Sequence, residues 1–133
     1  MRMRVTGLVL ASSLALLSGC RDDPGSVLRN GDSTVLVGAE GDGDDIAGIG
    51  FGGVVTMVGG CLSIDTSTVI WPNGTAVVAD DPLTIDVPGL GRVAVGDHVG
   101  GGGDPYGNQL PSGIDAIPSD CPSDEVIAFY PGK

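Results

Sequence analysis

The sequence predicts an all-β domain, a small single-domain barrel (OB-like or Greek-key) or a sandwich, behind a short apolar N-terminal segment. Three observations predict it. Turn signals rich in Gly, Pro, Asn and Asp recur every 6 to 12 residues after the first twenty. Short β-branched runs lie between them, and several alternate apolar with polar residues. No stretch beyond the N-terminal segment spaces its apolar residues with helical period.

The chain begins Met1-Arg2-Met3-Arg4, followed by an apolar run over 5–17. Two cations before a short apolar core fit a secretory signal. At about 13 residues the run is shorter than the roughly 20 needed to span a bilayer. It ends in Leu17-Ser18-Gly19-Cys20. These four residues resemble the lipobox of bacterial lipoproteins, and all four positions match. The resemblance covers residues 1–20 and implies transfer of diacylglycerol to the Cys20 sulfur, cleavage before Cys20, and often acylation of the new amino terminus. It thus implies a protein on the extracytoplasmic side of the cell membrane or outer membrane, held by its acyl chains, with no cofactor beyond the covalent diacylglycerol. Two or three chains, at about 0.8 kcal/mol per buried methylene, make a stable anchor where one is marginal. Arg21 follows the cysteine and Asp22 comes one place later, so the aspartate that marks inner-membrane retention is not at its position.

The expected division is a signal peptide over 1–19, a lipidated cysteine and flexible linker over 20–33, and a β domain over 34–133. Cleavage would leave 114 residues, enough for one modest core. Removing Arg2 and Arg4 from the six basic residues leaves four against 17 acidic ones, a formal charge of −13. That argues against nucleic acid, which needs a cationic footprint. It also argues against electrostatic docking on anionic lipid, which leaves anchoring to the acyl chains. With Cys20 lipidated, Cys61 and Cys121 remain in an oxidising compartment, and a disulfide between them is the default. It would close a loop of about 60 residues, worth roughly 4 kcal/mol in the chain-entropy treatment.

Taken in order, 21–33 (RDDPGSVLRNGDS) is polar and reads as the linker, about 20 Å in mean span as a flexible coil. The run 34–37 (TVLV) is a first strand. Residues 38–45 read as an acidic, Gly-rich loop, 46–51 as the start of a strand, and 54–58 (VVTMV) as a strand. Gly59-Gly60 permits a bend or bulge, and 61–64 continues extended. Asp65-Thr66-Ser67 turns the chain, 68–71 (TVIW) runs back, and Pro72-Asn73-Gly74 turns it again. Strands follow at 75–78, 83–87 (LTIDV) and 92–95 (RVAV), divided by Asp80-Asp81-Pro82 and Pro88-Gly89-Leu90-Gly91. The run 83–99, LTIDVPGLGRVAVGDHV, is similar to the strand–turn–strand segments with a V-G-D-x-V sequence found in OB-like and other small barrels. His98-Val99 is a short extended piece, 100–120 a long loop pinned by Cys121-Pro122, and 126–130 (VIAFY) the last strand. The stretch 59–75, with Cys61, Trp71 and Asn73-Gly74, reads as the hairpin around which the domain is built.

The candidate sites are few. Asp42, Asp44 and Asp45 with Gly43 offer the oxygen ligands and glycine of a Ca²⁺ loop, yet Ile46 and Gly53 stand where an EF-hand needs ligands at loop positions 5 and 12. A solvated loop is the simpler reading, and no metal site is expected. His98 is the sole histidine; as a general base it would need Ser63, Ser67 or Ser112 beside it, and no G-x-S-x-G elbow exists. Gly100–Gly103 lacks the Lys, the Ser/Thr and the helix of a phosphate loop. Asp65 and Asp86 are the carboxylates a glycosidase pair would draw on. Trp71 is the only Trp in a chain with two Tyr and two Phe, and reads as a core plug rather than a sugar platform. No catalytic residue is expected. The expected function is a lipid-anchored envelope protein that binds a protein partner or acts as a structural module; the alternative is a small envelope hydrolase or a Ca²⁺-dependent enzyme.

Overall fold

The computed structural model describes residues 23–41, 49–106 and 110–131. These are all β, with ten strands and no helix: β1 Ser26–Asn30, β2 Ser33–Val37, β3 Ile49–Val58, β4 Cys61–Ile64, β5 Ser67–Trp71, β6 Ala76–Asp80, β7 Leu83–Val87, β8 Gly91–Ala94, β9 His98–Pro105 and β10 Val126–Pro131.

Five strands close into a ring. β3, β4 and β5 are consecutive antiparallel hairpins. β9 returns by a long connection to lie antiparallel beside β3, which is a Greek key. β10 then pairs antiparallel with β9 and parallel with β5, joining the two edges. These five strands thus make a barrel-like domain with Greek-key order. The hairpin β1–β2 is added outside it. Thr34 of β2 pairs with Cys61 of β4, while Leu36 and Val37 pair with Ile70 and Trp71 of β5. β2 therefore enters where β4 and β5 part.

Two-residue turns set these hairpins. Gly59 and Gly60 both have positive φ (66° and 111°) and join Val58 directly to its partner Cys61. The pair is thus a tight turn, not the bend or bulge the sequence suggests, because twisted strands are best joined by turns with φ > 0 at both positions. Asp65, at φ 53°, takes the same left-handed conformation in the β4–β5 turn.

The interior is filled by Val35, Val55, Leu62, Ile64, Val69, Trp71 and Phe129, all fully or almost fully buried. β6, β7 and β8 form a separate three-stranded meander. It sends Leu83, Ile85, Val87 and Val93 into the same core and so plugs the barrel. The run 83–99 that resembles OB-like segments supplies β7 and β8 of this plug, and only its last residues belong to the ring. The Gly96-Asp97 turn after β8 docks on β3: Gly96 N–H donates to Val55 O and Val55 N–H to Asp97 O, both at 2.8 Å.

Two further expectations are corrected. Residues 26–30 are not linker but strand β1, paired along its whole length with β2. The Gly31-Asp32 turn and the alternate Val27 and Leu28 contacts outweigh the polar flanks of this segment. Gly100–Gly103 is not loop but the centre of β9, paired with Ile49–Gly52 on one side and Phe129–Pro131 on the other. Glycine is used there for close approach, since a Cβ on Gly103 would lie 2.7 Å from Phe51 Cβ and 2.9 Å from Ile127 Cγ2.

The remaining 110–122 segment packs on the outside of the barrel. Its Ile114 and Cys121 join Leu36, Cys61, Ile70 and Val126 in a second buried cluster. The Cys61–Cys121 disulfide is formed, with Cα atoms 5.0 Å apart. It fixes this segment to β4 at the base of the 59–75 hairpin.

Candidate binding groove

The residues singled out in the sequence are not brought into one catalytic cluster. Cys20, Asp42, Asp44 and Asp45 lie outside the described residues. His98 is exposed at the start of β9, opposite Val54. The Ser63 hydroxyl is buried and donates to Cys61 O at 3.0 Å, and the Ser67 hydroxyl donates to the Glu125 carboxylate. Ser112 is exposed, and its carbonyl accepts a bond from Gly25 N–H at 2.6 Å. The Asp65 carboxylate caps Val54 N–H at 3.0 Å, and Asp86 is exposed opposite Arg92 in the β7–β8 pair. Trp71 is fully buried, so its ring offers no exposed platform. Among the described residues no three His, Cys, Asp or Glu side chains gather as metal ligands.

What the fold does build is a groove between two sheet edges. β1 ends the large sheet and β6 ends the meander. The two edge strands line an open groove of about 660 Å³, from Val27–Asn30 on one wall and Thr75–Asp80 on the other. One end is clamped, where Asn30 Nδ2 donates to Asp80 Oδ1 at 2.6 Å.

Local sequence sets each wall. In the β1–β2 hairpin the residues flanking the two-residue turn are Asn30 and Ser33. They form a hydrogen-bonded pair, and alternation then turns the backbone groups of Val27 and Arg29 away from β2 toward the groove. Arg29 is steadied by bonds on its other side, donating to Thr34 Oγ1 at 3.0 Å and lying 3.6 Å from Asp120 Oδ2. The β6 wall starts at the Pro72–Thr75 turn, where Thr75 N–H donates to Pro72 O at 3.1 Å and Asn73 Nδ2 donates to Gly38 O at 3.0 Å. β6 then carries a bulge between Val77 and Ala79 that leaves Val78 unpaired and 42% exposed.

Thr75 distinguishes this groove from a bare gap. Thr75 borders the groove and is 95% buried, and among the described residues its hydroxyl, itself shielded from solvent, has no hydrogen-bond partner. A buried polar group left unpaired costs about 1–3 kcal/mol, so each one calls for an explanation. Sequence reasoning missed the groove because it missed β1. The available signal was Asn30-Gly31 between the runs VL and TVLV, a strong short-range hairpin mark.

Comparison with protein-family models, with curated proteins and with solved structures found no match to this chain.

Proposed function

We propose that the chain is a lipid-anchored protein of the bacterial cell envelope whose domain is a non-enzymatic binding module, with the β1–β6 groove as its site. The location rests on the tetrad Leu17-Ser18-Gly19-Cys20 after its basic start and apolar run. The observation that carries the binding role is the groove itself: two strand edges, unpaired among the described residues, face one open space.

The fold also bears on how the anchor would hold the domain. Glu40 N–H donates to Asp23 O at 2.8 Å, and Asp23 N–H donates to the Glu40 carboxylate at 3.2 Å. Asp23 is therefore tied into the domain, and in the sequence only Arg21 and Asp22 lie between it and Cys20. Three residue steps can span at most about 10 Å, whatever their conformation. The lipidated domain would sit against the head groups rather than on a long tether. Asp23 and Glu40, both exposed, stand at that edge. They oppose attraction to anionic lipid, which leaves adhesion to the acyl chains.

Mass spectrometry of the protein from a bacterial membrane fraction tests the anchor. A mature N-terminus at Cys20 carrying diacylglycerol is expected, with loss of membrane retention in Cys20→Ser. An unmodified Cys20, or cleavage elsewhere, overturns it.

A further inference from the structure

We propose that the end of the barrel around Asp23 and Glu40 is the membrane-facing surface of the domain, resting on zwitterionic, ammonium-bearing lipid head groups, with the opposite end held away from the bilayer. The proposal rests on the lipid-anchor reading and adds an orientation to it.

Two sets of contacts define the two ends. At the near end, Asp23 and Glu40 bond to each other through main chain and carboxylate. Gly25 N–H donates to Ser112 O at 2.6 Å, Gly38 N–H donates to Trp71 O at 2.8 Å, and Asn73 Nδ2 donates to Gly38 O at 3.0 Å. These bonds gather the start of β1, the ends of β2 and β5, and the 111–114 turn. β1 and β2 run away from that place as a hairpin, and the five residues of β1 cover about 13 Å. At the far end Thr34 N–H donates to Gly60 O at 2.7 Å, and Thr34 Oγ1 donates to Asp120 Oδ2 at 2.8 Å. A Cβ on Gly60 would lie 3.3 Å from Asp32 O, so the two hairpin turns and Asp120 meet there.

The length of the tether chooses between the ends. At most about 10 Å of chain joins Cys20 to Asp23, less than the roughly 13 Å radius of gyration of a domain this size. With Cys20 at the acyl chains, Asp23 stays within that reach of the head groups. Turning the far end down would carry Asp23 farther out than the tether allows.

Charge selects the head group. Asp23 and Glu40 give the near end two exposed carboxylates, and the whole chain carries a formal charge of −11. An ammonium-bearing head group is drawn to them, whereas a net-anionic one is repelled. The β1–β6 groove then runs up the side of the domain, from Val27 and Thr75 near the head groups to the Asn30–Asp80 clamp away from them.

The test uses the acylated protein, with its diacylglycerol confirmed by mass, in nanodiscs of phosphatidylethanolamine and phosphatidylcholine that carry a nitroxide on a few head groups. Amide line broadening should be strongest at Gly25, Glu40, Gly74 and Gly113, and absent at Gly31, Gly60 and Asp120. Replacing half of the lipid by phosphatidylglycerol should reduce the near-end broadening. Asp23→Asn combined with Glu40→Gln should restore it, whereas Asp32→Asn, the same charge change at the far end, should not. A ten-residue Gly-Ser insert after Asp22, about 17 Å in mean span, should even out the broadening between the ends. Strongest broadening at the far end, or even broadening without the insert, would overturn the orientation and leave the anchor standing. Equal broadening in the two lipid mixtures would overturn the head-group preference. An unacylated Cys20 would overturn anchor and orientation together.

Discussion

The indole N–H of Trp71 donates to the carbonyl oxygen of Leu62 across 3.3 Å, inside a fully buried core. The bond ties β5 to β4 within the ring. The same ring system meets Phe129 of β10 edge-on, with centroids 5.6 Å apart and planes at 67°. Trp71 thus contacts both neighbours of its strand within the ring, β4 and β10. Trp71→Ala should cost about 3–5 kcal/mol, through lost transfer and an unfilled cavity. Against a typical domain stability of about 5–15 kcal/mol, that leaves the variant marginal or unfolded. Trp71→Phe keeps most of the packing but leaves Leu62 O without the indole, and should lose less. Urea melts followed by circular dichroism rank the three proteins. An unchanged Trp71→Ala midpoint would contradict the core role.

The Cys61–Cys121 bridge closes a separation of 60 residues and joins the outer cluster to β4. Its removal in Cys61→Ala with Cys121→Ala should cost roughly 4 kcal/mol by loop entropy, plus the small loss of two buried sulfurs. The segment over 110–120 should open first. Its Ile114 packs in this cluster, and the bonds that tie it back are the Asp120 carboxylate to Thr34 at its end and Gly25 N–H to Ser112 O near its start. Hydrogen exchange in the double variant should rise at Ile114 and Cys121→Ala well before it rises in β3 or β4. Uniform exchange across all strands would mean the bridge supports the whole fold at once.

Much of the architecture was legible because the strands are short and bounded by strong turn chemistry. LTIDV alternates cleanly, and Leu83, Ile85 and Val87 are the residues the structure buries. The pairing of Cys61 with Cys121 was expected from their being the two cysteines left after Cys20, and the bond is formed. Two kinds of information were absent from local pattern. Closure of the ring depends on β10 lying parallel to β5, a pairing between Val126–Ala128 and Thr68–Ile70 that no adjacent turn announces. The groove depends on which edges remain unpaired, and that is settled only when β1 and β6 end different sheets. Gly100–Gly103 was opaque for a third reason. Glycine ordinarily weakens a strand, and only the position of Phe51 and Ile127 across Gly103 shows why it is needed here.

Four glycines of β3 and β9 divide into two classes that substitution separates. A Cβ on Gly52 would lie 2.5 Å from Val99 O, and one on Gly103 would lie 2.7 Å from Phe51 Cβ. Gly50 and Gly100 have nothing within 4 Å of that position. Gly52→Ala and Gly103→Ala should therefore destabilise by about 1–3 kcal/mol through overpacking. Gly50→Ala and Gly100→Ala should be neutral or stabilise by about 0.4–1 kcal/mol, because the unfolded chain loses freedom and the folded one meets no clash. Thermal midpoints of the four variants give the comparison directly. A common effect in all four would show that backbone preference, not approach of neighbours, governs this ladder.

Asp120 links the outer segment to the β1–β2 hairpin and makes the fold sensitive to acid. Thr34 Oγ1 donates to Asp120 Oδ2 at 2.8 Å, and Arg29 Nη1 stands 3.6 Å away. The Thr34 hydrogen bond chiefly, then a backbone bond and the Arg29 charge, hold the Asp120 carboxyl below its ordinary 3.8, against a partial desolvation that pushes the other way. A carboxyl depressed in the folded state adds stability that is fully present above the unfolded value, and loses it as pH falls through the folded one. The contribution should thus be intact at neutral pH and fade below about pH 4. Asp120→Asn removes the titration. At neutral pH it should melt below the natural protein, and the two curves should converge as the solution is acidified. Arg29→Gln should shift the same way by less, because the exposed ion pair is the smaller cause. Melting curves from about pH 7 down to about pH 2 decide it, and curves that stay parallel throughout would remove Asp120 from the acid response.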